Sequence, residues 1–263
     1  MKRDGHIHSP HCPHGTKDSF EQYIEKAIAS GFTDISFTEH APAPEGFLDP
    51  TPERDSFMTI HEFETYVNEL KQLQRKYHNQ IRIRIGIELD YIEGYEAQTT
   101  AFLKKYSHLL DDAILSVHFL KYNGTYTCID FSDEVFIAFA KQVGSVEAVY
   151  QLYYDTIIQS IQADLGMAKP KRIGHPTLVH KFQLAHKETI DDDAQVQNVL
   201  RLIATKGYEL DVNSAGLSKK YCLESYPPAA YIKLAKELHI PLVFGSDAHQ
   251  VRDLHNYYDD IMK

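Results

Sequence analysis

The stretch Asp4–Gly15, DGHIHSPHCPHG, carries His6, His8, His11, Cys12 and His14 almost side by side. Imidazole nitrogen and thiolate sulfur are ligands that divalent transition ions take from proteins. An expression tag is a run of consecutive histidines, whereas these are spaced by Ile, Ser, Pro and Cys. Residues i and i+2 of an extended strand face the same way, so His6 and His8 can grip one ion. Asp247 and His249, in GSDAH, repeat that spacing near the other end of the chain. The chemistry on offer is metal binding.

Residues this far apart in sequence meet only in a fold that gathers strand ends. Short β-branched runs alternate with longer helical ones along the chain. Strands are expected around Gly5–His8 and over TDISFTEH, IRIRIGIELDY, DAILSVHF, KRIGHP, YELDVN and IPLVFGSDAH. Helical spacing predicts a helix with Asp18 as N-cap and Gly31 as C-cap, and an amphipathic one in EFETYVNELKQLQRKY. Another runs up to about Tyr106, a long helical region covers residues 134–168, and AQVQNVLRLIATKG and PPAAYIKLAKELH complete the set. KYNGTYTCIDF reads as a small hairpin turning at Asn123–Gly124. The Pro-rich APAPEGFLDPTPERD reads as a long ordered loop or lid. No repeat or boundary signal interrupts the pattern, so residues 1–263 read as a single domain of class α/β, a parallel barrel or sheet of seven strands.

Each strand stops at a metal-ligand residue type: His6-Ile7-His8, Glu39-His40, Glu88 with Asp90 just beyond, His118, His175, Asp211-x-Asn213, and Asp247-Ala248-His249. In parallel α/β folds these ends lie on one face, where active sites are built. Seven histidines (His6, His8, His14, His40, His118, His175, His249) and two carboxylates (Glu88, Asp247) make nine candidate ligands. One four-coordinate ion uses about three or four protein groups, so nine imply two or three ions, with a carboxylate able to bridge a pair.

Composition narrows the partners. The formal charge is −10 and no run of Lys or Arg exceeds two, so no basic groove offers itself to nucleic acid. A small phosphorylated metabolite stays acceptable, because bound cations reverse the local sign. No stretch approaches the ~18 apolar residues of a membrane span. Lys2, Arg3 and Asp4 precede no apolar run of the secretory kind, and three widely spaced cysteines form no disulfide framework. A cytoplasmic location is expected.

The ordered motifs Asp4-Gly5-His6-Ile7-His8-Ser9, Phe37-Thr38-Glu39-His40, Ser116-Val117-His118, Gly174-His175 and Gly245-Ser246-Asp247-Ala248-His249 resemble those of the polymerase-and-histidinol-phosphatase (PHP) superfamily. The resemblance implies a distorted seven-stranded parallel (β/α)7 barrel with three divalent ions (zinc, iron or manganese) at the C-terminal ends of its strands. By position, His6, His8, Glu88 and Asp247 would hold one ion, Glu88, His118 and His175 a second, and His14, His40 and His249 the third. His14 is preferred to His11 because the family's ligand follows the H-x-H pair by about that interval.

DGHIHSPHCPHG, GFTDISFTEHAP and DVNSAGLSKKY resemble the stand-alone histidinol-phosphatase branch. That branch implies hydrolysis of L-histidinol phosphate in histidine biosynthesis, with metal-activated hydroxide attacking phosphorus and Asp247 or His249 passing a proton to the leaving oxygen. The alternative is a PHP-type phosphoesterase acting on nucleotides or other small phosphates. An amidohydrolase barrel also starts with H-x-H, but it usually adds a lysine ligand, and no lysine stands at a strand end. A non-enzymatic metal-binding regulator should have lost ligands, and none is missing.

Other residues have plainer readings. Arg172, three residues before His175, is the candidate phosphate-binding cation, ahead of Lys219 and Lys220. Glu45 and Phe47 belong to a rigid cover more than to substrate. Cys12 is read as a half-buried bystander, and Asn213 as a group orienting either a histidine or the phosphate.

Overall fold

Strands and helices alternate through the computed structural model, which describes residues 2–262. The first half comprises β1 (Arg3–Ile7), α1 (Phe20–Ala29), β2 (Asp34–His40), α2 (Ile60–Tyr77), β3 (Arg82–Asp90), α3 (Glu96–Tyr106) and β4 (Asp112–Ser116). A hairpin, β5 (Phe119–Tyr122) and β6 (Thr125–Cys128), is followed by α4 (Asp133–Val143), α5 (Val146–Gln162) and β7 (Arg172–Ile173). The chain ends with α6 (Gln183–His186), α7 (Asp193–Lys206), β8 (Glu209–Asn213), α8 (Ala229–Glu237), β9 (Leu242–Gly245) and α9 (Tyr258–Ile261).

Seven of these strands form one parallel sheet in the order β1-β2-β3-β4-β7-β8-β9. Its two edges meet. Ile7 bridges in parallel to Ala248, the His8 N–H donates to the Ala248 carbonyl at 3.1 Å, and the Asp247 N–H donates to the His6 carbonyl at 2.7 Å. The sheet is therefore a nearly closed barrel, joined where the strands finish. Its strands are buried on both sides, as β2 is from end to end, and this explains apolar runs where a one-sided sheet would alternate.

The barrel interior is charged near the strand starts. Arg172 reaches from β7 to the Gly5 carbonyl of β1 (2.8 Å), a strand that is not its neighbour, so its side chain crosses the interior. Its guanidinium shares Asp112 Oδ2 with Arg3, at 3.0 and 2.7 Å, while Arg84 grips Asp34 with two bonds of 2.8 and 2.7 Å. Arg172 is 1% exposed. It does not line the cavity at the mouth, and its expected phosphate contact is corrected to a structural ion pair. The reason is direction: Arg172 precedes the strand end and its side chain runs back into the barrel.

Several boundaries differ from expectation. Ser19, not Asp18, caps α1, because Ser19 and Gln22 form a reciprocal capping box. Asp18 accepts instead from the Thr16 hydroxyl and the Val251 N–H. The long helical region breaks at Gly144, where φ is 122°, and Ser145 caps a second helix by accepting from the Ala148 N–H. That helix stops at Gln162, short of Ala168. The hairpin turns at Asn123 and Gly124, both at positive φ as a two-residue type I′ turn demands. The Pro-rich segment is a packed cover: Phe47 is buried against Ile92 and Phe119, walled by Phe57, Tyr95 and Tyr126. Among the described residues no helix is long and apolar enough to cross a membrane.

Candidate metal centre

All nine sequence-predicted ligands converge at the ends of the barrel strands. Glu88, two residues before the end of β3, stands at the middle. Its Oε2 lies 3.4 Å from His6 Nε2, 3.5 Å from His8 Nε2 and 3.3 Å from His40 Nδ1. Its Oε1 lies 2.8 Å from His175 Nε2 and 3.8 Å from His118 Nε2. Asp247 Oδ1 faces His8 Nε2 at 3.0 Å and His6 Nε2 at 3.6 Å. His14 and His249 meet Nε2 to Nε2 at 3.3 Å, and their rings lie 5.0 and 6.0 Å from that of His40.

Among the described residues, three groups have ligand atoms close enough to hold an ion: His6, His8 and Asp247; Glu88, His118 and His175; and His8, Cys12, His40 and His249. Within each, the ligand atoms lie within 4.8 Å of one another. His11 is left out, pairing at the rim with Glu69 at 2.8 Å. Cys12, read from the sequence as a half-buried bystander, is fully buried and is itself a member of the third group, which does not include His14. Burial would raise its thiol, but the imidazoles of His14, His249 and His8 outweigh that and bring it down to about 5.

Local structure aims each ring. A carboxylate or carbonyl accepts only, so a ring nitrogen facing one carries the proton and leaves the other nitrogen's lone pair free. His6 Nδ1 donates to Asp211 (2.8 Å), His8 Nδ1 to Glu39 (3.0 Å), His118 Nδ1 to Asp90 (2.7 Å), and His14 Nδ1 to the Asp55 carbonyl (2.9 Å). Glu39 is fixed in turn by the Ser9 N–H and hydroxyl. The sequence singled out Glu39, Asp90 and Asp211 as strand-end residues, but not as the partners of histidines one strand or more away.

The backbone is unusual at two of these positions. His175 has φ 22° and Asp247 φ 52°, both in the left-handed region that side chains disfavour. Gly245 is needed because a Cβ there would fall 2.6 Å from the Cβ of His6.

The donor set suits cations. His6 Nε2, His8 Nε2 and both ring nitrogens of His40 are buried without a hydrogen bond, an expensive arrangement unless an ion takes the lone pairs. Burial would lower the His6 imidazole, yet Asp211, Glu88 and Asp247 hold it well above its ordinary value. The same contest raises His118 to about 10, through Asp90 and Glu88. A field that favours positive charge this strongly fits divalent ions.

The cavity above the centre measures about 710 Å³. Lys181, six residues past His175, lines it and pairs with Asp130 at 2.9 Å. Sequence reasoning missed Lys181, whose single signal is its position just after a ligand-bearing strand end. Lys219, also on the wall, is exposed, while Lys220 turns its ammonium over Tyr221. Glu53, Asp55 and Asp253 also line the cavity, as does Arg252.

A barrel whose strand ends gather seven imidazoles and two carboxylates defines a metal-dependent PHP-type domain. The PHP domain family matches residues 4–215, and the chain belongs to that family. More narrowly, it belongs with the stand-alone histidinol-phosphatases: it is 46% identical to the histidinol-phosphatase of Bacillus subtilis (strain 168), covering 100% of this chain and 99% of that one. It is also similar to the crystal structure of HisK from Listeria monocytogenes, with a TM-score of 0.92 and 38% identity, over 98% of this chain and 99% of that one. The HisK of Lactococcus lactis, solved with zinc, L-histidinol and phosphate, shares the fold at a TM-score of 0.73 and 20% identity, over 99% of this chain and 92% of that one.

Proposed function

We infer that this protein is a metal-dependent phosphomonoesterase that hydrolyses L-histidinol phosphate to L-histidinol and phosphate in histidine biosynthesis. The observation that carries the reading is the convergence of buried His6 Nε2 and His8 Nε2, neither of them hydrogen-bonded, on Glu88 and Asp247, in a chain 46% identical over its whole length to a histidinol-phosphatase. His6, His8, Glu88 and Asp247 would hold one ion, Glu88, His118 and His175 a second, and His14, His40 and His249 a third. Nitrogen and carboxylate donors suit zinc, iron or manganese. When bound, the ions would neutralise phosphate charge and lower the pKa of water at the centre.

The chain's own residues do the rest. Lys181 replaces Arg172 as the cation that meets a phosphate oxygen, and Asp130 holds its ammonium in place. Glu53, Asp55 and Asp253 complement a cationic imidazole or ammonium at the outer end of the cavity. The cover packed on Phe47 walls that space, and its Asp55 carbonyl fixes the ring of His14. Asp247 or His249 would pass a proton to the leaving oxygen. A substrate with phosphate at one end and positive charge at the other matches this polarity better than a nucleotide, whose base carries no charge.

Phosphate release by metal-analysed protein tests the reading, with L-histidinol phosphate set against mononucleotides and an aryl phosphate, and His8→Ala as control. Fast turnover of histidinol phosphate that His8→Ala removes is expected. Equal or faster turnover of nucleotides would overturn the substrate assignment while keeping the hydrolase.

A further inference from the structure

We propose that Asn213 is a positioning residue that locks two carboxylates of the centre at once and so sets the occupancy of a single ion. The proposal rests on the reading of His6, His8, Glu88 and Asp247 as ligands of that ion.

Asn213 ends β8, fully buried, and each of its polar groups has a partner. Its backbone N–H and carbonyl are both bound to Tyr226, each at 2.9 Å, which clamps the main chain. Its side-chain Oδ1 accepts from the Ala215 N–H at 2.9 Å. That bond fixes the sense of the amide, because only the oxygen can accept from an N–H. The Nδ2 group must therefore point the other way. There it donates to Asp247 Oδ2 at 3.1 Å and to Asp211 Oδ2 at 3.3 Å.

Both acceptors serve one ion. Asp211 Oδ2 also takes the Nδ1 proton of His6, which leaves His6 Nε2 free at the centre. Asp247, held by Oδ2, presents Oδ1 to His8 and His6. One amide thus fixes the carboxylate that aims His6 and the carboxylate that is itself a ligand. Asp247 needs such a tether, because its backbone sits at φ 52°, past the end of β9, and the bond from its N–H to the His6 carbonyl leaves its side chain unfixed. No hydrogen bond joins Asn213 to Glu88, His118, His175, His14 or His40, so the effect is selective.

The residue type follows. An aspartate at 213 would keep the Ala215 bond but bring a third negative charge against two others, with no proton to donate. A serine keeps an oxygen able to accept from Ala215 and is too short to reach either carboxylate.

The test compares Asn213→Ser and Asn213→Asp with the unaltered protein for zinc per chain, zinc affinity by chelator competition, and the rise in Tm on loading zinc. Both variants are expected to lose about one ion per chain and to bind that ion about 10–100-fold more weakly. Activity should recover in Asn213→Ser under excess zinc with KM unchanged, which a purely structural defect would not allow. Full zinc content at unchanged affinity in Asn213→Ser overturns the proposal. So does a fall in Tm of the metal-free protein with no change in the zinc-induced rise. His6→Ala run alongside separates the two readings: if it too keeps all its zinc, the ligand assignment itself has failed.

Discussion

Glu88 Oε1 lies 2.8 Å from His175 Nε2, while the other oxygen of the same carboxylate faces His6, His8 and His40. A buried carboxylate turned to both sides is the geometry of a bridge between ions. Burial would raise the Glu88 carboxyl, but His6, His118 and His175 hold it well below its ordinary range. Glu88→Gln keeps the shape and the Ser116 contact but removes the charge. Metal content is expected to fall by more than one ion per chain and turnover by more than about 100-fold. Elemental analysis beside phosphate release checks both, and normal metal content would end the bridging assignment.

Glu39 does not line the cavity and acts through His8. Its carboxylate takes the His8 Nδ1 proton and two bonds from Ser9. Glu39→Gln is expected to weaken zinc binding about 10–100-fold with the fold kept. Chelator competition and circular dichroism measure the two effects, and unchanged affinity would show that His8 is oriented without Glu39.

Lys181 and Arg172 should separate cleanly. Lys181→Ala removes a cavity cation and is expected to raise KM about 10–100-fold, the worth of a charge-assisted hydrogen bond, with a smaller change in kcat. Arg172→Met removes a buried partner of Asp112 and is expected to cost about 2–3 kcal/mol of stability with KM unchanged. Steady-state kinetics and urea unfolding decide, and the reverse pattern would restore Arg172 as the phosphate ligand.

His180 sets a pH dependence of stability away from the ions. It is buried between Asp192 (2.6 Å) and Glu224 (2.5 Å). Burial opposes its charge, but those two hydrogen bonds outweigh it and raise the imidazole to about 9. A raised pKa stabilises fully below the unfolded value of about 6.5, and the gain is lost as pH climbs through about 9. Lys169, lowered by burial to about 8, acts in the opposite sense over part of that window, so the informative quantity is a difference. The Tm gap between the unaltered protein and His180→Gln should be widest near pH 6 and shrink towards about pH 9.5. A gap that widens with pH would contradict the ion pair.

The fold and the ligands were legible in sequence for one physical reason. A parallel strand buried on both faces must be an apolar run, so a His, Glu or Asp ending such a run stands out. That pattern identifies His6, His8, Glu88 and His118 from sequence alone, and Asn123–Gly124 announces its hairpin by turn chemistry that is equally local. Helix caps were less legible, because Asp18 and Ser19 are both good caps; the Ser19–Gln22 capping box and the tertiary bond that the Val251 N–H donates to Asp18 together separate them.

What the tertiary structure alone decided are matters of direction and distance. Whether Arg172 or Lys181 meets the cavity depends on which way a side chain leaves its strand, and Arg172 is drawn inward by Asp112 from another strand. Which carboxylate aims which imidazole, as Asp211 does His6 or Glu39 His8, depends on register across the barrel. Sequence determines the residues a strand end offers. The closure of the barrel determines which of them touch, because their partners come from strands far away in the chain.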